Sequence, residues 1–300
     1  MHTDYIIIYN RGIGDRLGAQ LTWYICQLIF AHHNNYYIEY NEELYPNSIF
    51  TLALKKYIEE YNKNKIKGNL VNFIDSDNWC KLNSQVVNII KSDLISYFKQ
   101  HLFKIRNFLD EYALSRKYSI TFNPKETILI HLRLDDITFD NRIDYDGSYS
   151  LNYYANKVNT SNYDYSDETQ YYMNNGIIKD YNLYNCQAPI SDSKIEEVIK
   201  KIKMKNPHKD YKVLIVTSLI GNVTLNYHII RSSDPSLDLF YLCNCEIVIL
   251  SRSTFALSVL YFSRAKEFWI PRWGYVSSIG LETNYSKSKF NYFTPIHYLS

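Results

Sequence analysis

Three stretches of this 300-residue chain set glycine, cationic or hydroxyl side chains where a ligand can be held. The first is Asn10-Arg11-Gly12-Ile13-Gly14-Asp15-Arg16-Leu17-Gly18-Ala19-Gln20, between an apolar run at Tyr5–Tyr9 and an apolar segment from Leu21. Glycines at such a strand-to-helix turn let the backbone approach a ligand, and the free N–H groups at the helix start favour an anion. Gly12, Gly14 and Gly18 give G-x-G-x-x-x-G, which is not the dinucleotide fingerprint, and the same glycines serve a tight structural turn equally well. The second stretch is Ile128-Leu129-Ile130-His131-Leu132-Arg133-Leu134-Asp135-Asp136. A buried strand ending in His-x-Arg-x-x-Asp puts polar groups at the carboxyl edge of a parallel sheet, where ligands bind in such folds. There Arg133 can grip a diphosphate through paired charge-assisted hydrogen bonds, or pair with Asp136 structurally while His131 sits in the core. The third is Asp238 followed by Cys245-Glu246-Ile247-Val248-Ile249-Leu250-Ser251-Arg252-Ser253-Thr254-Phe255. Its hydroxyl cluster opens a helix and caps it, and the same cap is able to receive a phosphate.

Elements to position these residues are written in the apolar pattern. Strands are expected at Tyr5–Tyr9, Tyr36–Tyr40, Leu70–Ile74, Val86–Ile90, Thr127–Leu132, Lys212–Thr217, Glu246–Leu250 and Glu267–Ile270. Helical periodicity runs over Leu17–His33, Phe50–Tyr61, Asp93–Lys117, Asp192–Lys205 and Thr254–Arg264. Continuously apolar strands alternating with helices predict an α/β architecture with parallel sheets covered on both faces. The polar stretch Ser115–Glu126, with Asn123-Pro124, marks the join between two halves, 1–122 and 123–300. Asp135–Ala188, rich in Tyr, Asn, Asp and Ser, is too long for an ordinary connection and reads as a functional loop system or an insertion.

Composition narrows the function classes. At 46% hydrophobic and 21% charged residues the chain has material for a core, and a scattered net charge of +2 lacks the footprint of a nucleic-acid binder. Met1–Asn10 has no basic lead-in and only a short apolar run, and Glu246–Ser263 is interrupted by Arg252 and hydroxyls. The expectation is therefore a cytoplasmic protein without a transmembrane segment. Five cysteines fit a reducing compartment, with Cys243 and Cys245 structural rather than a zinc knuckle. The 30 tyrosines follow from the codon bias of an AT-rich genome as readily as from function. The same bias makes arginine scarce, ten of 33 basic residues, so a retained arginine points to a site that needs its bidentate fork. His32-His33 is not read as a metal pair, because adjacent helical residues diverge and no acidic third ligand is suitably spaced.

Taken together the three stretches resemble a family. Asp15-Arg16-Leu17-Gly18-Ala19-Gln20-Leu21 looks like the G-R-[LF]-G-N-Q loop and following helix of the fucosyltransferase superfamily, which includes the α-1,2, α-1,6 and protein O-fucosyltransferases. His131-x-Arg133-x-x-Asp136 is similar to its H-x-R-R-x-D motif, and Ser251-Arg252-Ser253-Thr254-Phe255, with Asp238 and Cys245 upstream, resembles its S-x-S-[ST]-F block. Order and spacing agree across residues 15–258.

The resemblance implies a GT-B fold: two Rossmann-like halves, with the acceptor on the N-terminal side and the donor in the C-terminal half. It implies inverting transfer of fucose or a related sugar from a GDP-sugar to a glycan hydroxyl, with no metal and no cofactor beyond the donor itself. Carried over by position, Arg133 grips the diphosphate with His131 beside it. Ser251, Ser253, Thr254 and Phe255 line the phosphate and nucleotide pocket, Asp238 helps hold the base, Gly14 and Gly18 join the donor-binding residues, and Arg16, catalytic with Arg133, lies with Gly18 near sugar and acceptor. Asp136 is the first candidate for a catalytic carboxylate, with Asp15, Asp140 and Asp144 as alternatives for a general base. Leu134 stands where the motif has its second arginine, Ala19 where the loop has Asn, and Asp135 where a Gly is common. These departures leave a second reading open: a protein derived from such an enzyme that binds a nucleotide sugar or glycan without turning it over.

Overall fold

The computed structural model describes residues 2–8, 17–40, 45–71, 94–133, 192–219, 223–251, 253–271 and 296–299. The strand expected at 86–90, the irregular region after 134, and Gly14, Arg16, Asp136 and the alternative carboxylates lie outside them. The chain is α/β, and it divides into two compact units, the first over residues 1–119 and the second holding the described residues from Ile120 on.

The first unit is built on β1 (His2–Ile8), α1 (Leu17–His33), β2 (Tyr37–Tyr40), α2 (Ile49–Asn62), β3 (Ile66–Leu70) and α3 (Leu94–Ser115). Its described strands form a parallel sheet in the order β2-β1-β3. Leu17, Leu21, Tyr24, Ile25, Leu28 and Ala31 bury α1, while α2 presents Phe50, Ala53, Leu54, Tyr57 and Ile58 along one face, the spacing of an amphipathic helix. β3 falls at 66–70 rather than at the expected 70–74. Its residues, Ile-Lys-Gly-Asn-Leu, are mostly exposed, so no apolar alternation announces it. Pairing with β1 decides its place, and a side chain at Gly68 would meet the Thr3 carbonyl oxygen at 3.0 Å. The side-chain amide of Asn62 donates to the Ile38 carbonyl (2.6 Å) and accepts from its N–H (3.1 Å). Those two bonds occupy backbone groups that an edge strand would otherwise leave open.

The second unit contains β4 (Thr127–Leu132), α4 (Asp192–Lys205), β5 (Lys212–Thr217), β6 (His228–Arg231), α5 (Pro235–Asn244), β7 (Ile247–Ile249), α6 (Thr254–Phe262), β8 (Glu267–Pro271) and β9 (Ile296–Leu299). All six strands are parallel, in the order β6-β5-β4-β7-β8-β9. Counted from β4, that is 3-2-1-4-5-6, the order of a doubly wound nucleotide-binding sheet. The central β4, Thr-Ile-Leu-Ile-His-Leu, is buried throughout, as a strand paired on both sides and covered on both faces must be. One face of the sheet, with Ile128, Ile130, Ile215 and Ile249, packs on Ile195, Val198, Ile199 and Ile202 of α4. Those four follow the i, i+3, i+4, i+7 pattern of a helix stripe, and each contributes about 1.5–3 kcal/mol by burial. Cys245 is fully buried, with its thiol directed to the Thr127 carbonyl (3.3 Å), and burial pushes its pKa up to about 12. That is the structural role expected of it. No helix among the described residues is long and apolar enough to cross a membrane.

Candidate functional site

Open α/β sheets bind ligands at the point where the strand order reverses, and the second unit has such a point. The chain leaves β4 toward β5 on one side of the sheet and returns later to β7 on the other, so the carboxyl ends of β4 and β7 flank the topological switch point. Two of the three chemistry-bearing stretches end there. The last β4–β7 register pair is Ile130 with Ile249, and His131, Arg133, Ser251 and Ser253 follow directly.

Side-chain bonds tie the two strand ends together. His131 Nδ1 and Ser251 Oγ share a buried hydrogen bond of 2.7 Å, and the His131 ring lies 5.1 Å from that of Phe255 on α6. Burial above all, and then the neighbouring Arg133 charge, hold the His131 pKa down at about 3, so the imidazole is neutral. At 7% exposure it is a satisfied core residue that joins β4 to the β7–α6 turn. Arg133, the next residue but one, is half-buried at the strand end.

The β7–α6 turn is a built helix start. Ser253 is the N-cap of α6, its Oγ accepting from the Ala256 N–H at 3.1 Å, and its own N–H donates to the Ser251 carbonyl at 3.0 Å. One first-turn donor is thereby satisfied at the positive end of the helix dipole. Thr254 is the first residue of that helix. The sequence reading of a helix cap in this cluster is met by Ser253.

On the same carboxyl edge the structure adds residues the motifs did not mark. Thr217 ends β5, in register with Leu132 of β4 and Arg231 of β6. Its hydroxyl is buried and has no hydrogen-bond partner among the described residues. Arg231 donates from Nη1 to the Ser218 carbonyl at 2.8 Å. A polar residue closing the run Lys-Val-Leu-Ile-Val-Thr repeats the signature that singled out His131 and was the available signal. Arg231 gave none, because its strand is short and half-exposed.

Asp238 sits in the first turns of α5, which starts from the N-cap Asp234, whose carboxylate accepts from the Ser236 N–H at 2.8 Å, with Pro235 in the first turn. Asp238 is 7% exposed, and its Oδ1 has no partner among the described residues. Burial, reinforced by Asp234, raises its pKa to about 7. A buried carboxyl with an open oxygen is suited to accept N–H groups from a ligand. Gly18, by contrast, belongs to the first unit, where it lies buried in the first turn of α1 and its carbonyl accepts from the Thr22 hydroxyl at 2.9 Å.

The chain matches no family model, no curated protein and no solved structure.

Proposed function

We propose that this protein is an inverting, metal-independent glycosyltransferase of GT-B arrangement that moves fucose, or a related sugar, from a GDP-sugar to a glycan hydroxyl. The donor binds in the second unit and the acceptor side is the first. The observation that carries the reading is the meeting of the His131-x-Arg133 and Ser251–Phe255 motifs at the switch point of a 3-2-1-4-5-6 sheet, joined by the 2.7 Å His131–Ser251 bond. Transfer passes through an oxocarbenium-like state while charge builds on the departing diphosphate, which calls for fixed cations and N–H donors. Arg133 supplies the cation, the start of α6 supplies the donors, and Asp238 receives N–H groups of the base. A dinucleotide enzyme is disfavoured, because Arg133-Leu134-Asp135-Asp136 follows β4 where the glycine-rich turn belongs, and the next glycine is Gly147. The second reading, binding without turnover, is favoured by Leu134 and Ala19, which remove a cation and an amide that the motifs carry.

Calorimetric titration of the protein and of Arg133→Ala with GDP, UDP and NAD in EDTA tests this. The expected result is GDP binding without metal that weakens at least about 100-fold in the variant, the scale of a lost charge-assisted bidentate contact. Absence of GDP binding, or binding indifferent to Arg133, overturns the assignment. GDP binding with no transfer or hydrolysis of GDP-fucose selects the second reading.

A further inference from the structure

Another cluster of titratable side chains lies in the first unit. His32, in the last turn of α1, has its ring centre 3.8 Å from that of His101 on α3 and 4.5 Å from that of Tyr61 on α2. Tyr57, one turn earlier on α2, shares a 2.8 Å hydrogen bond between its hydroxyl and His101 Nδ1. Lys65, between α2 and β3, donates to the Tyr61 hydroxyl at 2.6 Å and to the Asn35 carbonyl at 3.0 Å, with its Nζ 3.8 Å from the Tyr61 ring centre. Three helices therefore meet on two imidazoles in van der Waals contact. Among the described residues, Lys65 and Lys104 act on His32 and Lys104 on His101, and each of these charges disfavours the imidazolium.

We propose that the His32–His101 contact is an acid-sensitive joint: in mildly acidic solution the first unit opens there, while the second unit, which carries the switch-point site, stays folded. The inference stands apart from the glycosyltransferase reading, since it uses none of that site's ligands.

Proton linkage gives the sign. Burial first, and then His101 and the lysines, hold the His32 pKa down at about 3; burial and Lys104 lower that of His101. An unfolded histidine takes its proton near pH 6.5, so stability is intact above that pH and is lost as pH falls from there toward the folded value. Each such group shifts the unfolding equilibrium up to about tenfold per pH unit, and two together up to about a hundredfold. In the second unit two groups oppose one another. His131 must gain a proton on unfolding, whereas Asp238, with its pKa raised to about 7 from 3.8, must release one. Near pH 5 these contributions oppose and largely cancel, so among the described shifted groups the net proton uptake falls in the first unit.

Backbone hydrogen exchange of the full chain, read by mass spectrometry at pH 7.5, 6.0 and 5.0 and corrected for intrinsic rates, separates the units. Peptides from α1, α2 and α3 are expected to lose protection by about two to three orders of magnitude at pH 5.0, while those from β4, β5 and β7 change less than about tenfold. The double variant His32→Phe, His101→Gln keeps a ring against Tyr61 and a side chain able to bond Tyr57, and is expected to flatten the response. Loss of protection in both units together, or an unchanged response in the folded variant, overturns the proposal. If the variant does not fold, imidazole NMR of the wild-type protein decides. Neither histidine titrates near pH 6.5 in the folded protein if the joint exists, and a normal titration of either sinks it.

Discussion

The two units each bury a histidine to less than a tenth of its surface, His32 at 8% and His131 at 7%, and burial lowers both to about 3. Their surroundings differ. His131 comes from a central strand and faces a hydroxyl, Ser251 Oγ, placed by the next strand over. His32 ends a helix and faces a second imidazole on another helix, with cations beyond. The first arrangement satisfies a neutral ring and fixes a turn that starts a helix; the second sets two tilted rings in contact, where taking up a second proton is opposed by the first. A perturbed pKa therefore marks burial in both places and marks a ligand site in neither by itself; bonding and topology separate the two.

Replacing each histidine by leucine breaks that comparison most severely. His131→Leu strands the Ser251 hydroxyl in the core and loosens β4 from α6, and is expected to cost about 2–3 kcal/mol at pH 7.5, with exchange rising in β4 and α6 peptides. His32→Leu keeps the volume and removes the site that resists protonation. It is expected to cost on the order of 1 kcal/mol at pH 7.5 and to be more stable than the wild type at pH 5. Equal, pH-independent losses in urea unfolding of the two variants would make the contrast an accident of burial.

Asp238→Asn sharpens the same comparison with a smaller effect of opposite sign. The raised pKa means that the carboxyl stabilises the fold fully below 3.8, where both states hold the proton, and that this is lost as pH rises through about 7. An amide of the same shape carries no charge to desolvate, so the variant is expected to gain on the order of 1–2 kcal/mol at pH 8 and nothing at pH 4. The variant should also make the second unit lose stability in acid, since Asp238 would no longer offset His131. If it weakens GDP binding while stabilising the fold, Asp238 faces the base.

How much of this was readable from sequence follows from where each signal is stored. β4 and α4 are legible at their exact bounds because an unbroken apolar run and an i, i+3, i+4, i+7 stripe are local patterns. α5 is not, although Asp234-Pro235 is a proper helix start, because Leu239, Phe240, Tyr241, Leu242 and Cys243 are all buried and leave no polar face to set a period. β6 is short and half-exposed and β3 is mostly exposed, so only their neighbours define them. For the site, the strand ends at His131 and Ser251 show in the sequence as polar residues closing apolar runs. Their convergence needs the strand order, which puts β4 beside β7 across 114 intervening positions. The joint at His32 was invisible for the same reason: His33, its sequence neighbour, was the natural partner to consider, and His101 is brought in by helix packing.

The smallest of these effects tests whether the start of α6 does more than hold a helix. Ser253→Ala removes the side-chain bond to the Ala256 N–H and is expected to cost about 1 kcal/mol, whereas Ser253→Asp restores the cap and leaves stability within a few tenths of the wild type. The aspartate variant also places a negative charge where the proposed diphosphate sits. A cap that serves the fold alone makes Ser253→Asp wild-type in both stability and GDP affinity. A cap that also serves the anion makes it wild-type in stability and at least tenfold weaker for GDP, and that split between two readouts is what a purely structural serine cannot produce.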